Sequence, residues 1–108
     1  MNRNHTIKIA TDFHETPSGR FRLQGDFTGQ HFREDILVPA LKRYEKVTVV
    51  LDEVAGFGSS FLEEVFGGLI RLEGFSYEDL DSRIELISEE DPSYIDEIKE
   101  YLRSARDN

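Results

Sequence analysis

Apolar and polar positions follow two different periods along the chain, and the clearest pattern runs from Val47 to Leu72. Residues 47–51 are an unbroken apolar run, which predicts a strand buried on both faces at the centre of a sheet. After Asp52 and a glycine-spaced loop, apolar residues recur at helical spacing and predict one side of an α-helix. They are Phe61, Leu62, Val65, Phe66, Leu69 and Ile70. This stretch is therefore predicted to be a strand, a Gly-Ser turn and a helix.

The segment before this stretch predicts two strands and a helix. Residues 6–10 and 20–23 alternate between apolar and polar side chains, which is typical of half-exposed strands. The turn residues between them, at 16–19, favour an antiparallel hairpin. Thr28 is then a candidate N-cap for a helix, which Pro39 is expected to kink or divide because proline lacks an N–H group.

The segment after it predicts one more strand and one more helix. Residues 83–87 read as a strand parallel to the first apolar run, joined to it by a right-handed helical crossover. Asp91 and Pro92 suit the start of the last helix. The predicted fold is α/β, with the order β-β-α-β-α-β-α and a mixed four-stranded sheet whose helices lie mainly on one face. Residues 1–108 are predicted to form a single domain, because the chain has 108 residues and no linker or repeat.

Composition narrows the class of protein. The chain has 38% hydrophobic and 32% charged residues, no cysteine, and no apolar run near the roughly 20 residues that a membrane span needs. The N-terminus lacks the apolar segment of a secretory signal, so a cytoplasmic protein without disulfides is expected. The net charge of −9 argues against nucleic-acid binding, because a binding surface neutralises phosphates with lysine and arginine.

The two serines at the start of the central helix are the strongest candidate site. Ser60, with Glu63 three residues later, fits a capping box. Ser59 lies where free N–H groups and the positive end of the helix dipole would stabilise a phosphate. Gly56 and Gly58 are explained by turn geometry, because a dinucleotide fingerprint needs a third glycine and a P-loop needs a lysine. A small anion or nucleotide bound at this helix start is an alternative.

No self-sufficient catalytic or metal-binding set accompanies these serines. His31 and Glu34 have the helical i, i+3 spacing, but a third metal ligand at a suitable spacing is missing. Ser59, His14 and Asp12 can be written down as a triad, yet nothing in their spacing supports that geometry. The chain is therefore predicted not to be an enzyme, and no metal or cofactor is expected.

Gly67 and Gly68 lie in the middle of the predicted helix, where each costs about 1 kcal/mol relative to alanine. The favoured interpretation is close packing of this helix on the sheet or on a neighbouring helix. The alternative is a flat helix surface that the backbone of a partner can approach.

The central motif resembles the STAS domain family, which includes anti-sigma-factor antagonists and domains of sulfate transporters. Those domains have a buried strand that ends in an acidic residue, then a short Asp-Ser-Ser-Gly-Leu loop and an apolar helix. The matching residues here are Leu51-Asp52 and Gly58-Ser59-Ser60-Phe61-Leu62, followed by the apolar helix. The chain is more similar still to a STAS-like branch of unassigned function with the motif SSFLEE-FGGL, here residues 59–69. That resemblance extends from Thr28 to Ile87 and includes the motifs FRE (residues 32–34) and PAL (residues 39–41).

The resemblance implies a bacterial regulatory protein-binding module rather than a catalyst. In bacterial STAS domains a partner kinase of the GHKL ATPase fold phosphorylates the first serine of the pair, which switches partner binding off. The equivalent acceptor here is Ser59, and Gly58 stands where those domains have an acidic residue. Members of the STAS-like branch often accompany ATPase modules, so a GHKL-type partner is implied.

The resulting hypothesis is partner switching at the loop and helix start around Ser59. The predicted partner-binding residues are Asp52, Gly56, Gly58, Ser59, Ser60, Phe61 and Glu63, with Arg33 and Glu34 from the FRE motif. A constitutive subunit of a larger assembly is the other alternative, in which case Ser59→Asp leaves partner binding unchanged.

Overall fold

The structure of the protein is a computed structural model that describes residues 3–108, which form a three-stranded sheet and five helices. The strands are β1 (Asn4–Lys8), β2 (Lys46–Val50) and β3 (Ile84–Ile87). They are all parallel and lie in the order β1-β2-β3. The central place of β2 and its parallel pairing with β3 are therefore confirmed.

The helices connect and follow the strands. They are α1 (Ile9–Asp12), α2 (residues 29–43), α3 (residues 59–71), α4 (Tyr77–Arg83) and α5 (Ser93–Arg106). Both α2 and α3 contain one wide π turn between α-helical segments, at Arg33–Leu37 and at Glu63–Gly67. Within the described part of the chain, no helix is long and apolar enough to cross a membrane.

Helix α2 begins as expected but is not divided. Thr28 is its N-cap and accepts the N–H of His31 at 3.2 Å. Pro39 lies two residues after the end of the π turn, and the helix continues past it to Arg43. The wider turn accommodates a residue that has no N–H to donate to the preceding turn.

The predicted hairpin and fourth strand are wrong, because residues 20–23 form no strand. The N–H groups of Arg20 and Phe21 both donate to Gln24 Oε1 at 2.8 Å, and Arg22 N–H donates to Gln30 Oε1 at 3.0 Å. Because these N–H groups donate to nearby side chains, they are not available for hydrogen bonds to a neighbouring strand. The segment is instead an exposed turn with a short 3-10 helix at Arg22–Gln24.

The helices cover one face of the sheet, which corrects the expectation that β2 is buried on both faces. Strand order β1-β2-β3 makes both crossovers step in the same direction, and right-handed crossovers then place their helices on the same face. Val49 of β2 and Ile7 of β1 are 0% and 1% exposed on that face. Thr48 and Val50 point to the opposite face and are only half-buried. The second face of the sheet is therefore open.

Candidate functional site

The loop between β2 and α3 is fixed to the rest of the domain by its first residues. Asp52 accepts the backbone N–H groups of Glu89 at 3.2 Å and Glu90 at 2.9 Å. Glu53, which has a positive φ of 68°, donates its N–H to the Glu90 carboxylate at 2.8 Å. The half-buried Asp52 therefore ties this loop to the loop after β3, rather than presenting its carboxylate freely to solvent.

The second half of the loop is hydrogen-bonded to two other parts of the chain, and its glycines are exposed to solvent. Ala55 N–H donates to the carbonyl of Glu15 at 2.9 Å. Phe57 N–H donates to the Tyr94 hydroxyl at 3.3 Å, and the two rings pack edge to face at 5.1 Å. Gly56 and Gly58 are exposed, and a Cβ atom added to either would have no neighbour within 4 Å. The loop therefore exposes its backbone at the two glycines, while hydrogen bonds at Ala55 and Phe57 hold it in place.

Both serines are exposed at the start of α3, and the predicted capping box is absent. The N-cap residue is Gly58, whose carbonyl accepts the N–H of Leu62 at 3.2 Å, and no side chain caps this helix start. Ser60 lies inside the first turn, and the Glu63 carboxylate turns away from it to bind two arginines. Two charged donors compete better for that carboxylate than one backbone N–H.

Phe61 is 1% exposed and belongs to the hydrophobic core. Its ring lies 6.2 Å from that of Phe32 in α2 and 5.8 Å from that of Phe57 in the loop. Phe61 therefore positions the loop and the helix start from below, whereas the serines are the side chains that solvent reaches.

Arg33 of the FRE motif is buried between α2 and α3, with its side chain only 2% exposed. Its Nη1 donates to Glu64 Oε2 at 2.6 Å and to the Glu64 carbonyl at 2.8 Å, and its Nε donates to Glu73 Oε2 at 2.9 Å. Burial lowers the pKa of Arg33, but the hydrogen bonds with Glu64 and Glu73 outweigh it and leave that pKa raised. The guanidinium thus holds the two π turns together and is shielded from solvent.

Two further arginines connect the buried Arg33–Glu64 ion pair to the surface of α3. Glu63 forms ion pairs with Arg20 and Arg71, and Arg20 also lies 3.1 Å from Glu64. Burial on its own would raise the pKa of Glu63, but hydrogen bonds from Arg71 and Arg20 hold it below its usual value. Glu63 is therefore an anion held beside the first turn of α3.

Glu34 lies on the exposed side of α2. Its carboxylate accepts from Arg22 at 3.1 Å and from Gln30 at 3.3 Å. Arg22 also pairs with Asp35 at 2.8 Å. Within the FRE motif, Arg33 therefore supports α3 and Glu34 anchors the exposed turn at residues 20–24.

Packing against a neighbouring helix, which the sequence favoured for both glycines of α3, explains Gly68 but not Gly67. A Cβ atom on Gly68 would lie 2.5 Å from Arg33 Nη1 and 3.1 Å from Arg33 Cδ. A Cβ atom on Gly67 would meet the tips of the Glu63 and Arg71 side chains. Gly68 therefore provides the space through which Arg33 reaches Glu64.

Tyr101 of α5 completes the surroundings of Ser59. Its hydroxyl donates to Glu97 Oε2 at 2.5 Å. Burial is the main reason that the pKa of Tyr101 is raised to about 12, followed by the hydrogen bond to Glu97, whereas the nearby Ser59 side chain lowers it. A group added to Ser59 would therefore have Tyr101, Glu97 and Glu63 as neighbours.

Replacing Glu97 with glutamine is expected to lower the pKa of Tyr101 from about 12, but only part of the way to its ordinary value, because burial, the larger cause, remains. A neutral amide no longer opposes the negative charge of the phenolate. Chemical shifts of ¹³Cζ-labelled tyrosine, followed against pH, measure this change. Glu100→Gln is the control, because that carboxylate is 69% exposed and pairs with Arg103. An unchanged Tyr101 titration in Glu97→Gln would contradict the assigned hydrogen bond.

The histidines are engaged elsewhere. His14 Nδ1 accepts the N–H of Thr16 at 3.0 Å, and Asp12 accepts the N–H of Lys8 at 2.8 Å, so the two are not joined to Ser59 as a triad. His31 Nδ1 lies 2.6 Å from the carbonyl oxygen of Asp26. Across residues 3–108, no three histidine or acidic side chains are grouped so as to hold a metal ion.

Sequence reasoning missed the ion pairs that hold α3 in place and the tyrosine beside Ser59; the residues it did not identify share these two roles. They are Arg20, Glu64, Arg71, Glu73 and Tyr101. One signal was present: Glu64 lies three residues after Phe61 and four before Gly68, and so falls within the buried stripe of α3. A charged residue in such a stripe requires a buried partner of opposite charge.

Comparison with known proteins agrees with this architecture. A family profile described as a STAS-like domain of unknown function (DUF4325) matches residues 28–94, which is more than half of the chain. This region contains α2, β2, α3, α4 and β3, and with them the FRE motif and both serines. The searches of curated proteins and of solved structures gave no match. The chain belongs to the STAS-like domain family of unknown function.

Proposed function

We propose that the chain is a non-enzymatic regulatory module of the cytoplasm that docks a GHKL-type ATPase or kinase. Docking uses the loop–helix surface, which consists of Gly56, Gly58, Ser59, Ser60 and the adjoining Glu63. The observation that carries the proposal is the exposure of both serines at a helix start that no side chain caps. The N–H groups of that first turn are available to a partner or to a phosphate.

The contacts that hold the loop–helix surface in place support the same proposal. Hydrogen bonds at Asp52, Ala55 and Phe57 fix the loop, and the Arg33–Glu64 pair fixes α3 against α2. A surface that is ordered before binding loses less conformational entropy when the partner docks.

Ser59 is the proposed switch. Phosphorylation would add a charge of about −1.5 to −2 next to Glu97 and Glu63. The helix start attracts this charge and Glu97 repels it, whereas the charge of Glu63 is already balanced by Arg20 and Arg71. Because Ser59 is exposed, its phosphate would lie in the contact area of the partner. Partner release on phosphorylation follows from that placement.

The proposal predicts that the tagged chain retains an ATPase-fold protein from native lysate and that Ser59→Asp loses it. Ser104→Asp adds the same charge at an exposed position of α5 and serves as the matched control. Mass spectrometry identifies the retained protein, and the intact mass of the recovered chain reports phosphate. Retention of the same protein by wild type and by Ser59→Asp, with no phosphate on Ser59, would instead make the chain a fixed subunit.

A further inference from the structure

Two exposed apolar side chains lie together on the turn at residues 20–24. Leu23 is fully exposed and Phe21 is 48% exposed. No residue of the 3-10 helix at Arg22–Gln24 is buried, so the core does not need this turn. Single exposed leucines are common on protein surfaces, and exposure by itself requires no explanation. What distinguishes this pair is the order of the turn that carries it and the surface next to it.

The backbone of the turn is fixed to α2 by hydrogen bonds. The Arg20 carbonyl accepts the N–H of Gln30 at 2.9 Å, and Gln24 Oε1 accepts the N–H of Arg20 at 2.8 Å. Between these contacts, Gln30 Oε1 accepts the N–H of Arg22 at 3.0 Å. The turn therefore holds Leu23 in one place, and a side chain that is ordered before binding loses less conformational entropy when a partner covers it.

The arginines of the turn are already paired, so its tip offers no free cation. Arg22 lies 2.8 Å from Asp35 and 3.1 Å from Glu34. Asp26, just after the turn, is exposed and forms no ion pair within residues 3–108. One free carboxylate does not make a charged docking surface. Apolar contact is therefore the main interaction that the tip offers to a partner.

Arg20 makes the turn continuous with the loop–helix surface. Its guanidinium carbon lies 6.0 Å from the centre of the Phe21 ring. The same guanidinium pairs with Glu63, which belongs to the loop–helix surface. A protein that covers Glu63 therefore reaches Phe21, and Leu23 lies two residues further along the turn.

A second copy of this chain is a poorer occupant than that protein. The exposed parts of one phenylalanine and one leucine amount to roughly 250 Å². Even doubled, this area falls short of the roughly 1,200–2,000 Å² that a stable interface buries. Two grooves on the described part of the chain are lined mainly by polar and charged residues, so neither offers Leu23 an apolar pocket. A partner that already covers the loop–helix surface needs only such a pocket.

We propose that the turn at residues 20–24 is a second contact of the protein that docks on the loop–helix surface, and that this partner receives Leu23 and Phe21 in an apolar pocket. The inference rests on the proposed function, because it assigns a further contact to the same partner. Leu23 is the side chain whose burial contributes most to the affinity, since it is the more exposed of the two in the free chain.

Titration calorimetry tests this contact with the ATPase-fold protein that the tagged chain retains. Leu23→Ala should weaken binding by roughly tenfold or more. Leu72→Ala is the matched control, because Leu72 is also exposed, at 61%, but follows the end of α3 that is opposite the serines. Its replacement should leave the affinity unchanged. The amide spectrum of each variant verifies that it is folded.

Ser59→Asp, measured in the same series, separates this inference from the proposed function. If Leu23→Ala binds as wild type does while Ser59→Asp binds more weakly, the second contact is overturned and the proposed function stands. If Leu23→Ala binds more weakly and Ser59→Asp does not, the contact at the turn is supported and the switch at Ser59 is contradicted. If wild type retains no ATPase-fold protein, both are overturned. Equal losses in Leu23→Ala and Leu72→Ala would also overturn the second contact.

Two measurements on the free chain complete the test. In ¹⁵N relaxation, the Leu23 amide should have an order parameter near about 0.85, as in rigid backbone, and a value below about 0.6 would overturn the ordered turn. In sedimentation velocity, the wild-type chain should show no self-association that Leu23→Ala removes. Such self-association would make a second copy the occupant and would overturn the proposal.

Discussion

Replacing Arg33 with methionine is expected to lower the free energy of unfolding by roughly 3–5 kcal/mol. Methionine fills much of the same space but leaves the Glu64 carboxylate, whose side chain is 3% exposed, without its closest cation. Removing one member of a buried ion pair costs this much because the other charge stays out of water. Chemical denaturation of the purified variants measures the loss.

Two further variants separate the buried charge from a general effect of removing arginine. Arg22→Met removes a guanidinium that is 41% exposed and should cost no more than about 1 kcal/mol. Arg33→Met combined with Glu64→Leu should recover most of the loss, because no unpaired charge is then buried. If Arg33→Met is no less stable than Arg22→Met, the buried pair does not hold α2 against α3.

Gly68→Ala is expected to destabilise the protein by about 2 kcal/mol, although alanine favours helix by about 1 kcal/mol. The added Cβ would lie 2.5 Å from Arg33 Nη1, and the buried guanidinium has no free space to move into without giving up Glu64 or Glu73. Thermal and chemical unfolding both report this loss.

The neighbouring glycine provides the control, because Gly67→Ala makes the same chemical change one residue earlier. The atoms that its Cβ would meet are the tips of Glu63 and Arg71, whose side chains are 22% and 36% exposed and can swing outward. The gain in helix propensity then offsets a weakened surface ion pair, so stability should change by less than about 1 kcal/mol. Equal losses in the two variants would contradict the special role of the space at Gly68.

The parts of the fold that the sequence predicted are those fixed by local patterns. The apolar run 47–51 and the helical stripe after it identified β2 and α3, because burial against one core imposes a period on neighbouring residues. Thr28 identified the start of α2 for a similar reason, since capping involves only residues three positions apart. The crossover rule then gave the parallel pairing of β2 and β3.

The errors arose where contacts between distant residues overrode local patterns. Residues 20–23 alternate like a strand, yet Arg20 reaches Glu64 and Arg22 reaches Glu34, and both arginines hold the segment against the helices. The same effect removed the predicted capping box, because Glu63 pairs with Arg20 instead of the helix start. Neither pairing has a sequence spacing that a local pattern can reveal.

The candidate site was predicted in outline but not in mechanism. The serines lie exposed at the helix start, as the strand–turn–helix pattern suggested, whereas Phe61 and Arg33 are buried and support the surface from below. The presence of Tyr101 and Glu97 near Ser59 depends on how α5 packs against α3, which the spacing of apolar residues in α5 does not determine.

Titration calorimetry of the ATPase-fold protein recovered with the chain tests the central claim most directly. Wild type, Ser59→Asp and Ser104→Asp are compared as purified proteins, so that net charge is matched between the two variants. The account predicts that Ser59→Asp binds at least about tenfold more weakly than wild type, a loss of about 1.4 kcal/mol, while Ser104→Asp binds as wild type does. Equal affinities of wild type and Ser59→Asp would contradict docking through the loop–helix surface.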